Sequence, residues 1–431
     1  MIYLQFARFL LPLAFTLVVQ GLSGQFLSGG MARLPQATSV LAAYGVAWGI
    51  ADFLSSPLSQ AGQLGLVLGT SHPARRQIQG FVLGSGSALA GVLAMLAFTP
   101  VGEWVIRQGH GLSPEVSDTV RQALFWLAPV PALEGLSRFY AGLLMRSRRT
   151  EVVSLATLAS IGASIGSVFF LLPAQFVQAQ PIRLPLLVSY IGIGVHLGVL
   201  LGGYWRHVRP ALGPQPGDKG LSLAYILHFF WPLALVMAIQ GVSRPLINLF
   251  VARGPDGQEA LAVLAVVYPL AHLPYGWVNE LRSLVPAFQG EGNSQLCRFA
   301  IACGICSFGI MAGMFWTPLR LPILTGLLGL EPELAGRCQW PLFLFSFFPL
   351  AVALRAYFHG VALVERRTRA LVPSAPSRIG VIYVAMLALP ETVHGATRGV
   401  AALLCGFVLE AAVVWWGVRG WSEFKIKRRS A

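Results

Sequence analysis

The chain has 431 residues, of which 55% are hydrophobic and only 11% are charged, and its formal net charge is +14. Soluble domains carry about 25% charged residues, so this composition excludes an ordinary soluble globular protein. Apolar windows of about 20 residues, the length that crosses a bilayer as a helix, recur along the whole chain. Because these windows are continuous rather than alternating, they favour transmembrane helices over the strands of a barrel.

Twelve such windows are present, and we number them as spans 1 to 12 in chain order. They predict an all-α polytopic membrane protein with twelve transmembrane helices. Several spans exceed the length that a bilayer requires, so we expect them to tilt or bend. The spans cover residues 6–30, 38–68, 75–101, 119–145, 151–173, 184–205, 222–252, 258–289, 296–325, 333–364, 370–389 and 393–418.

The second half of the chain repeats the first at an offset of about 220 residues. Pro12 in span 1 recurs as Pro232 in span 7, and the Arg-Arg-Thr at 148–150 recurs at 366–368 after the offset has shortened by two. Internal symmetry in an apolar chain is typical of transporters whose substrate site lies between two homologous halves. Six spans in each half predict two pseudo-symmetric lobes that enter the membrane with the same polarity.

A linker separates the two halves. Residues 206–221 contain three prolines and three glycines and have no apolar core of their own. We therefore predict an N-terminal lobe over 1–205, a cytoplasmic linker over 206–221, and a C-terminal lobe over 222–431 that ends in a short basic tail.

The distribution of Lys and Arg predicts the orientation in the membrane. With a cytoplasmic N-terminus, 18 of the 31 Lys and Arg residues fall on the cytoplasmic side and eight on the outer side. The positive-inside rule then places both termini in the cytoplasm of a multi-pass protein of the plasma membrane, here a bacterial inner membrane. Topology and contact with lipid headgroups account for the basic charge, so we predict no nucleic-acid partner. No cleavage site follows the first apolar run, and span 1 is expected to be retained.

The remaining arginines and several acids lie inside the spans, where ionisable side chains are costly and usually functional. The second half holds four of these arginines against two of the acids. One explanation is a set of structural ion pairs between helices. The other is a cavity with guanidinium groups in excess, which would attract anions because Arg binds carboxylate and phosphate bidentately. The charged residues are Arg138, Arg244, Arg282, Arg355 and Arg378, with Asp52, Glu134, Glu280 and Glu410.

We favour the second explanation and predict a transporter for small polyanions. Aromatic and polar residues near the arginines complete the predicted binding site, and the remaining interior acids are assigned to proton transfer or gating. The predicted substrate-binding residues are Arg244, Asn248, His272, Tyr275, Trp277, Glu280, Arg282 and Arg355. The predicted proton or gating residues are Asp52, Glu134 and Glu410.

These residues lie in segments that resemble the progressive ankylosis protein (ANK) family, as a prokaryotic-type relative. The similarity covers nearly the whole chain, and it is more specific in the second half. The segments there are WPLALVMAIQGVSRPLINLFVAR (231–253), YPLAHLPYGWVNELRSLVPAF (268–288), FWTP (315–318), FSFFPLAVALRA (345–356) and VHGATRGVAALLCGFVLEA (393–411). The first half is similar through RFLLPL (8–13), LAAYGVAW (41–48) and GLVLG (65–69).

The resemblance implies the fold of the multidrug/oligosaccharidyl-lipid/polysaccharide (MOP) exporters, which is MATE-like. It also implies export of citrate and other di- or tricarboxylates, ATP or pyrophosphate. Glu134 matches an acidic residue of the family, whereas Arg138 matches no basic one. In the second half the matching positions are Arg244, Pro245, Asn248, His272, Pro274, Tyr275, Gly276, Trp277, Glu280, Arg282, Phe347, Pro349, Arg355, Arg378, His394 and Glu410.

Two other functions of the same fold stay open: a proton- or sodium-coupled multidrug or cation antiporter, and a flippase for lipid-linked precursors. Span 1 has no carboxylate, which argues against a drug antiporter that binds its proton there. An enzyme is disfavoured, because the sequence has no H-E-x-x-H, P-loop or G-x-S-x-G motif. We predict a monomer in the lipid bilayer with a small anionic substrate and neither a cofactor nor a metal site.

Overall fold

The computed structural model describes residues 2–110, 114–210, 220–290, 293–328, 330–390 and 392–429. Within these ranges the chain is helical and contains no strand. Most of the predicted linker, residues 211–219, lies outside the described residues. Ten of the described helical stretches are long and apolar enough to cross a membrane. Spans 1 and 4 are also helical, which confirms the all-α fold with twelve spans.

In the first half, three spans are single helices and three are interrupted. Spans 1, 3 and 5 are Ile2–Met31, His72–Phe98 and Thr150–Leu171. Span 2 consists of Ala37–Ser55, a 3-10 turn at Ser56–Gln60, Ala61–Gln63 and a π turn at Leu64–Leu68. Span 4 consists of Pro114–Leu127 and Val130–Arg146, and span 6 of Arg183–Gly203 with a π turn at Tyr204–Val208. Pro100–His110 and Gln175–Ala179 are short connecting helices.

The second half follows the same order. Span 7 consists of Leu223–Gly241 and Ser243–Ala252, and span 8 of Gly257–Tyr275, a 3-10 turn at Gly276–Glu280, and Leu281–Ala287. Span 9 is Asn293–Phe315, followed by a π turn at Pro322–Leu327. Span 10 consists of Pro332–Arg337, Gln339–Phe345 and Phe348–Val364. Span 11 consists of a 3-10 turn at Thr368–Leu371 and Ser374–Ala388, and span 12 is Gly395–Arg429.

Prolines mark matched breaks in spans 4 and 10. Pro131 and Pro349 each occupy the first turn of the helix that follows the break. Proline suits this position because the N–H groups of the first turn have no acceptor within the helix. Pro12 and Pro232, by contrast, lie inside continuous helices. The repeat in the sequence therefore extends to the places where the helices are interrupted.

The Arg-Arg-Thr motif shows that the repeat is also a structural one. Arg148 and Arg366 both adopt a left-handed backbone, with φ of 57° and 56°. Their N–H groups donate to the carbonyls of Met145 and Leu363 at 2.9 and 3.1 Å. A left-handed residue after a helix satisfies carbonyls that the helix leaves unpaired. The two halves thus end spans 4 and 10 in the same way.

The chain forms two compact units. The N unit comprises Val19–Phe230, and the C unit comprises Met1–Val18 with Trp231–Ala431. The start of span 1 belongs to the C unit, where the Phe6 ring lies 5.0 Å from that of Phe288. The start of span 7 belongs to the N unit, where the Phe230 ring lies 5.2 Å from that of Phe81. The predicted lobe limits at 205 and 222 follow the sequence repeat and stay a prediction.

Many large apolar side chains are exposed, including Phe170 at 82% and Trp416 at 73%. Exposed apolar area on this scale would cause aggregation in water. In a bilayer the same side chains contact lipid, where no polar face is needed. The exposed apolar surface therefore agrees with a chain that is embedded in the membrane.

Spans 2 and 4 of the N unit approach each other through glycines. A Cβ added at Gly142 would overlap the carbonyl of Gly62, whereas nothing lies within 4 Å of a Cβ added at Gly162 in span 5. We expect Gly142→Ala to lower stability by about 1–3 kcal/mol through overpacking. Gly162→Ala is expected to be neutral or stabilising, because Ala favours helix over Gly. Thermal unfolding of the purified variants measures this difference, and equal melting temperatures would contradict the close approach.

Candidate functional site

The centre of the C unit is an ion cluster around Glu410 of span 12, whose side chain is fully buried. Arg355 of span 10 donates from Nη1 to Glu410 Oε2 at 3.1 Å. Arg378 of span 11 donates from Nη1 to the same oxygen at 3.2 Å. Two guanidinium groups therefore share one carboxylate, and with all three ionised the cluster carries an excess positive charge.

Uncharged side chains complete the cluster. Gln240 of span 7 donates from Nε2 to the other Glu410 oxygen, Oε1. Asn279 of span 8 accepts from Arg355 Nη2 at 2.5 Å. The Phe407 ring lies against both arginines, with its centroid 4.0 Å from Cζ of Arg378 and 5.3 Å from Cζ of Arg355. These contacts hold the guanidinium groups in defined positions and add cation–π stabilisation.

The interruption of span 8 brings Asn279 to the cluster. Pro274 cannot donate a backbone hydrogen bond, and the helix gives way to the 3-10 turn Gly276–Glu280 directly after Tyr275. Inside this turn Asn279 Nδ2 donates to the Gly276 carbonyl at 3.0 Å. That bond orients the amide so that its oxygen is available to Arg355.

Arg244 of span 7 has a different environment from the cluster arginines. Its side chain is exposed, and its Cζ lies 4.9 Å from the centroid of the Tyr268 ring. Among the described residues, no carboxylate oxygen lies within the 4.0 Å ion-pair distance of Arg244. The buried Tyr275 lies within coulombic range of Arg244 and of both cluster arginines. Arg244 is therefore a further positive group within electrostatic range of the same tyrosine.

The other predicted binding residues of span 8 are divided between surface and interior. His272 is exposed, and its ring lies 5.3 Å from that of Tyr275. Tyr275 is only 3% exposed and also packs against Phe348, so it is a core residue. Trp277 donates from Nε1 to the Pro274 carbonyl at 2.9 Å. That bond uses the only donor of the indole.

The last three predicted residues, Asn248, Glu280 and Arg282, have other surroundings. Glu280 accepts from Ser283 Oγ at 3.4 Å. Arg282 is half-buried and lies within coulombic range of His359, as does Arg355. Asn248 lies one turn after Arg244, and its Oδ1 is buried without a hydrogen-bond partner among the described residues. The predicted set is therefore distributed over spans 7, 8 and 10, and of its members Arg355 is the one whose described contacts join it to the ion cluster.

Asp52 and Glu134 belong to the N unit, whereas Glu410 belongs to the C unit. Both carboxylates are within coulombic range of Arg138. Asp52 and Arg138 are exposed, and Glu134 is half-buried. This second charged group has two acids and one arginine, the opposite balance to the ion cluster of the C unit. Glu410, which the sequence grouped with these acids, is the counter-ion of two arginines.

The two arginines of the ion cluster have serines at the matched positions of the N unit. The offset of 218 that aligns Arg148 with Arg366 places Ser137 and Ser160 opposite Arg355 and Arg378. Ser160 Oγ donates to the Gly192 carbonyl at 2.8 Å. Spans 5 and 6, the counterparts of spans 11 and 12, are therefore joined by a neutral hydrogen bond. The charged group of the N unit, Asp52, Glu134 and Arg138, lies on spans 2 and 4 instead.

A sequence model of the progressive ankylosis protein (ANKH) family matches residues 1–317. The chain belongs to the progressive ankylosis protein family. The match includes the segments that carry Arg244 and Arg282, whereas Arg355, Arg378 and Glu410 lie beyond its end. The resemblance derived from the sequence is confirmed.

Solved structures of transporters are similar to this family member over almost its full length. A MOP superfamily transporter from Pyrococcus furiosus, described as having a binding pocket of reversed polarity, is 15% identical with a TM-score of 0.71, over 96% of this chain and 94% of the other. A MATE transporter of Vibrio cholerae, solved as a point mutant, is 15% identical with a TM-score of 0.73, over 97% and 96%. At such identities the similarity shows the fold alone, so this member of the ankylosis family has the fold of the MOP and MATE transporters.

Proposed function

We propose that this protein exports small polyanions by alternating access of its two six-span halves. The proposed substrates are citrate and other di- or tricarboxylates, ATP or pyrophosphate. The observation that carries the proposal is the pair of guanidinium groups of Arg355 and Arg378 that share the single carboxylate of Glu410. A site with positive charge in excess attracts anions and rejects cations.

The chemistry of the two arginines favours substrates with several carboxylate or phosphate groups. A guanidinium presents paired donors that match two oxygens of one such group. Arg244, exposed and without a carboxylate at ion-pair distance in the described part of the chain, offers a further contact to the same substrate. A monovalent anion would use only part of this charge, so the proposal favours di- and trivalent substrates.

Export of such an anion needs no coupling ion. In a cell that is negative inside, each charge that leaves is favoured by about 2.3 kcal/mol per 100 mV, and a trivalent anion by about 7 kcal/mol. We therefore propose electrogenic facilitated efflux. The acids Asp52 and Glu134 of the N unit support proton coupling as the alternative mechanism, and the transport assay separates the two.

The test is efflux from proteoliposomes that are loaded with one anion at a time and clamped at a chosen membrane potential. We expect efflux of at least one of citrate, malate, pyrophosphate or ATP, at a rate that rises as the interior becomes more negative, in the absence of proton or sodium gradients. Transport of a cationic drug without transport of any anion would overturn the proposal. Strict dependence on an ion gradient would reject uncoupled efflux.

Arg244→Gln tests whether the exposed arginine contacts the substrate. We expect the apparent affinity for the transported anion to fall roughly 10-fold, in keeping with the loss of one charge-assisted hydrogen bond of about 1.5–3 kcal/mol. Melting temperature should stay unchanged, since no carboxylate at ion-pair distance is left unpaired in the described residues. Arg253→Gln, at the exposed end of the same span, is the matched control. Equal affinities of the two variants would remove Arg244 from the site.

A further inference from the structure

Arg75 of span 3 is a buried cation in the N unit with few partners. Its side chain is only 4% exposed, and its Nη1 donates to the Tyr204 hydroxyl at 3.4 Å. Its Nε and Nη2 are both buried without a hydrogen-bond partner in the described part of the chain. No carboxylate oxygen of the described residues lies within 4.0 Å of this guanidinium.

The two unsatisfied groups form one edge of the guanidinium. Nε–H and Nη2–H point in parallel, and this edge binds two oxygens of one carboxylate or phosphate group. Arg378, which is buried to a similar degree at 6%, has Glu410 as counter-ion and the Phe407 ring as a neighbour. A buried guanidinium without such partners is strongly unfavourable, so the free edge of Arg75 points to a ligand that supplies the missing oxygens.

The surroundings of Arg75 also favour an anion. Arg75 lies in the first turn of the helix His72–Phe98, which Ser71 caps by accepting from the Ala74 N–H at 3.3 Å. The amino end of a helix carries partial positive charge and favours anions. The Tyr204 ring packs against the Tyr140 ring at a centroid distance of 5.2 Å. This contact positions the hydroxyl that accepts the hydrogen bond from Arg75.

We propose that Arg75 is the centre of a binding site for a phosphate group at the predicted cytoplasmic end of the N unit. The phosphate belongs either to the headgroup of an anionic lipid or to a soluble phosphate compound. Basic pockets between helices at this side of a membrane are suited to lipid headgroups. The site is separate from the ion cluster of the C unit and does not depend on the proposed export function.

The test measures Tm of the full-length protein with two probes. The first probe is inorganic phosphate, added to the detergent-purified protein. The second is phosphatidylglycerol, compared with phosphatidylcholine in phosphate-free nanodiscs. Each is measured for the wild type, for Arg75→Gln, and for Arg76→Gln, which removes the same charge from the exposed neighbour. We expect at least one probe to raise the Tm of the wild type and of Arg76→Gln, and Arg75→Gln to lose most of that rise.

The outcomes separate the two sources of phosphate. A rise with phosphatidylglycerol alone assigns the site to a lipid headgroup, and a rise with inorganic phosphate assigns it to a soluble ligand. No rise with either probe, or an equal rise in Arg75→Gln and the wild type, would overturn the proposal. If Arg75→Gln does not fold, Tyr204→Phe replaces it, and its affinity for the stabilising probe should be about 3- to 10-fold weaker. An unchanged affinity in Tyr204→Phe would then count against the site.

Discussion

Arg355→Gln is expected to reduce anion efflux by roughly 100-fold while the protein stays folded. The variant removes one of the two guanidinium groups that share Glu410, and a bound anion loses its charge-assisted hydrogen bonds to that group, each worth about 1.5–3 kcal/mol. Glu410 keeps Arg378 as its counter-ion, so the remaining pair is neutral and no buried charge is left alone. The variant also loses its bonds to Glu410 and Asn279, and we expect the loss of transport and anion affinity to exceed the loss of stability.

The efflux assay at a fixed potential measures this change, with Arg337→Gln as control. Arg337 forms an exposed ion pair with Glu259 at 2.9 Å in the same unit, so its loss removes the same charge without touching the cluster. We expect normal efflux from Arg337→Gln. Normal efflux from a folded Arg355→Gln would show that the ion cluster only holds the helices together.

Glu410→Ala is expected to be the most destabilising substitution in the C unit. It leaves Arg355 and Arg378 buried beside each other without their shared carboxylate. Removing one partner of a buried ion pair costs about 3–5 kcal/mol, because the remaining charge loses its compensation. Adding Arg355→Gln to this variant should recover part of the lost stability, because one of the two uncompensated charges is then absent.

Melting temperatures of the purified proteins measure the effect, and Glu259→Ala is the matched control. That variant breaks the half-exposed pair with Arg337, and surface pairs contribute only about 0–1 kcal/mol. We expect a small change in Glu259→Ala and a large one in Glu410→Ala. Similar small changes in the melting temperatures of both variants would show that Glu410 does not stabilise the two buried guanidinium groups.

The fold could be predicted because hydropathy and repetition are local signals in the sequence. The twelve spans and the equivalence of Arg148 with Arg366 both follow from them, and the left-handed backbone at both arginines confirms the equivalence. The positions of the breaks were harder, since span 9 ends at Phe315 and is followed by a π turn rather than continuing to 325. Pro318 and Pro322 lie there, and proline removes the donors that a continuous helix needs.

The candidate site could be predicted only in part. Charge inside an apolar span marked Arg355 and Glu410, but it did not show that they form an ion pair, because they are distant in sequence. The sequence assigned them to different roles for that reason. Asn279 and Gln240 were missed, since a neutral amide in a membrane span gives a weak signal. For Gln240 the sequence offers one signal, which is its recurrence in the repeat as the counterpart of Gln20.

The sequence also did not predict which side chains of span 8 are buried. His272 and Tyr275 lie three residues apart on span 8, and the sequence assigned both to the substrate. In the structure His272 is exposed, whereas Tyr275 is buried against Phe348. Both residues lie on the continuous helix Gly257–Tyr275, where positions three apart differ in direction by about 60°. Spacing along the chain therefore does not predict which of the two side chains is buried.

Calorimetric titration of the purified protein with citrate, malate, pyrophosphate and ATP tests the central claim most directly. That claim is that guanidinium groups in excess over their single carboxylate bind anions. We expect the wild type to bind at least one of these anions, and Arg355→Gln to bind it at least 10-fold more weakly, in keeping with the loss of about 1.4 kcal/mol or more. Binding of none of them, or equal affinity in the wild type and in a folded Arg355→Gln, would contradict it.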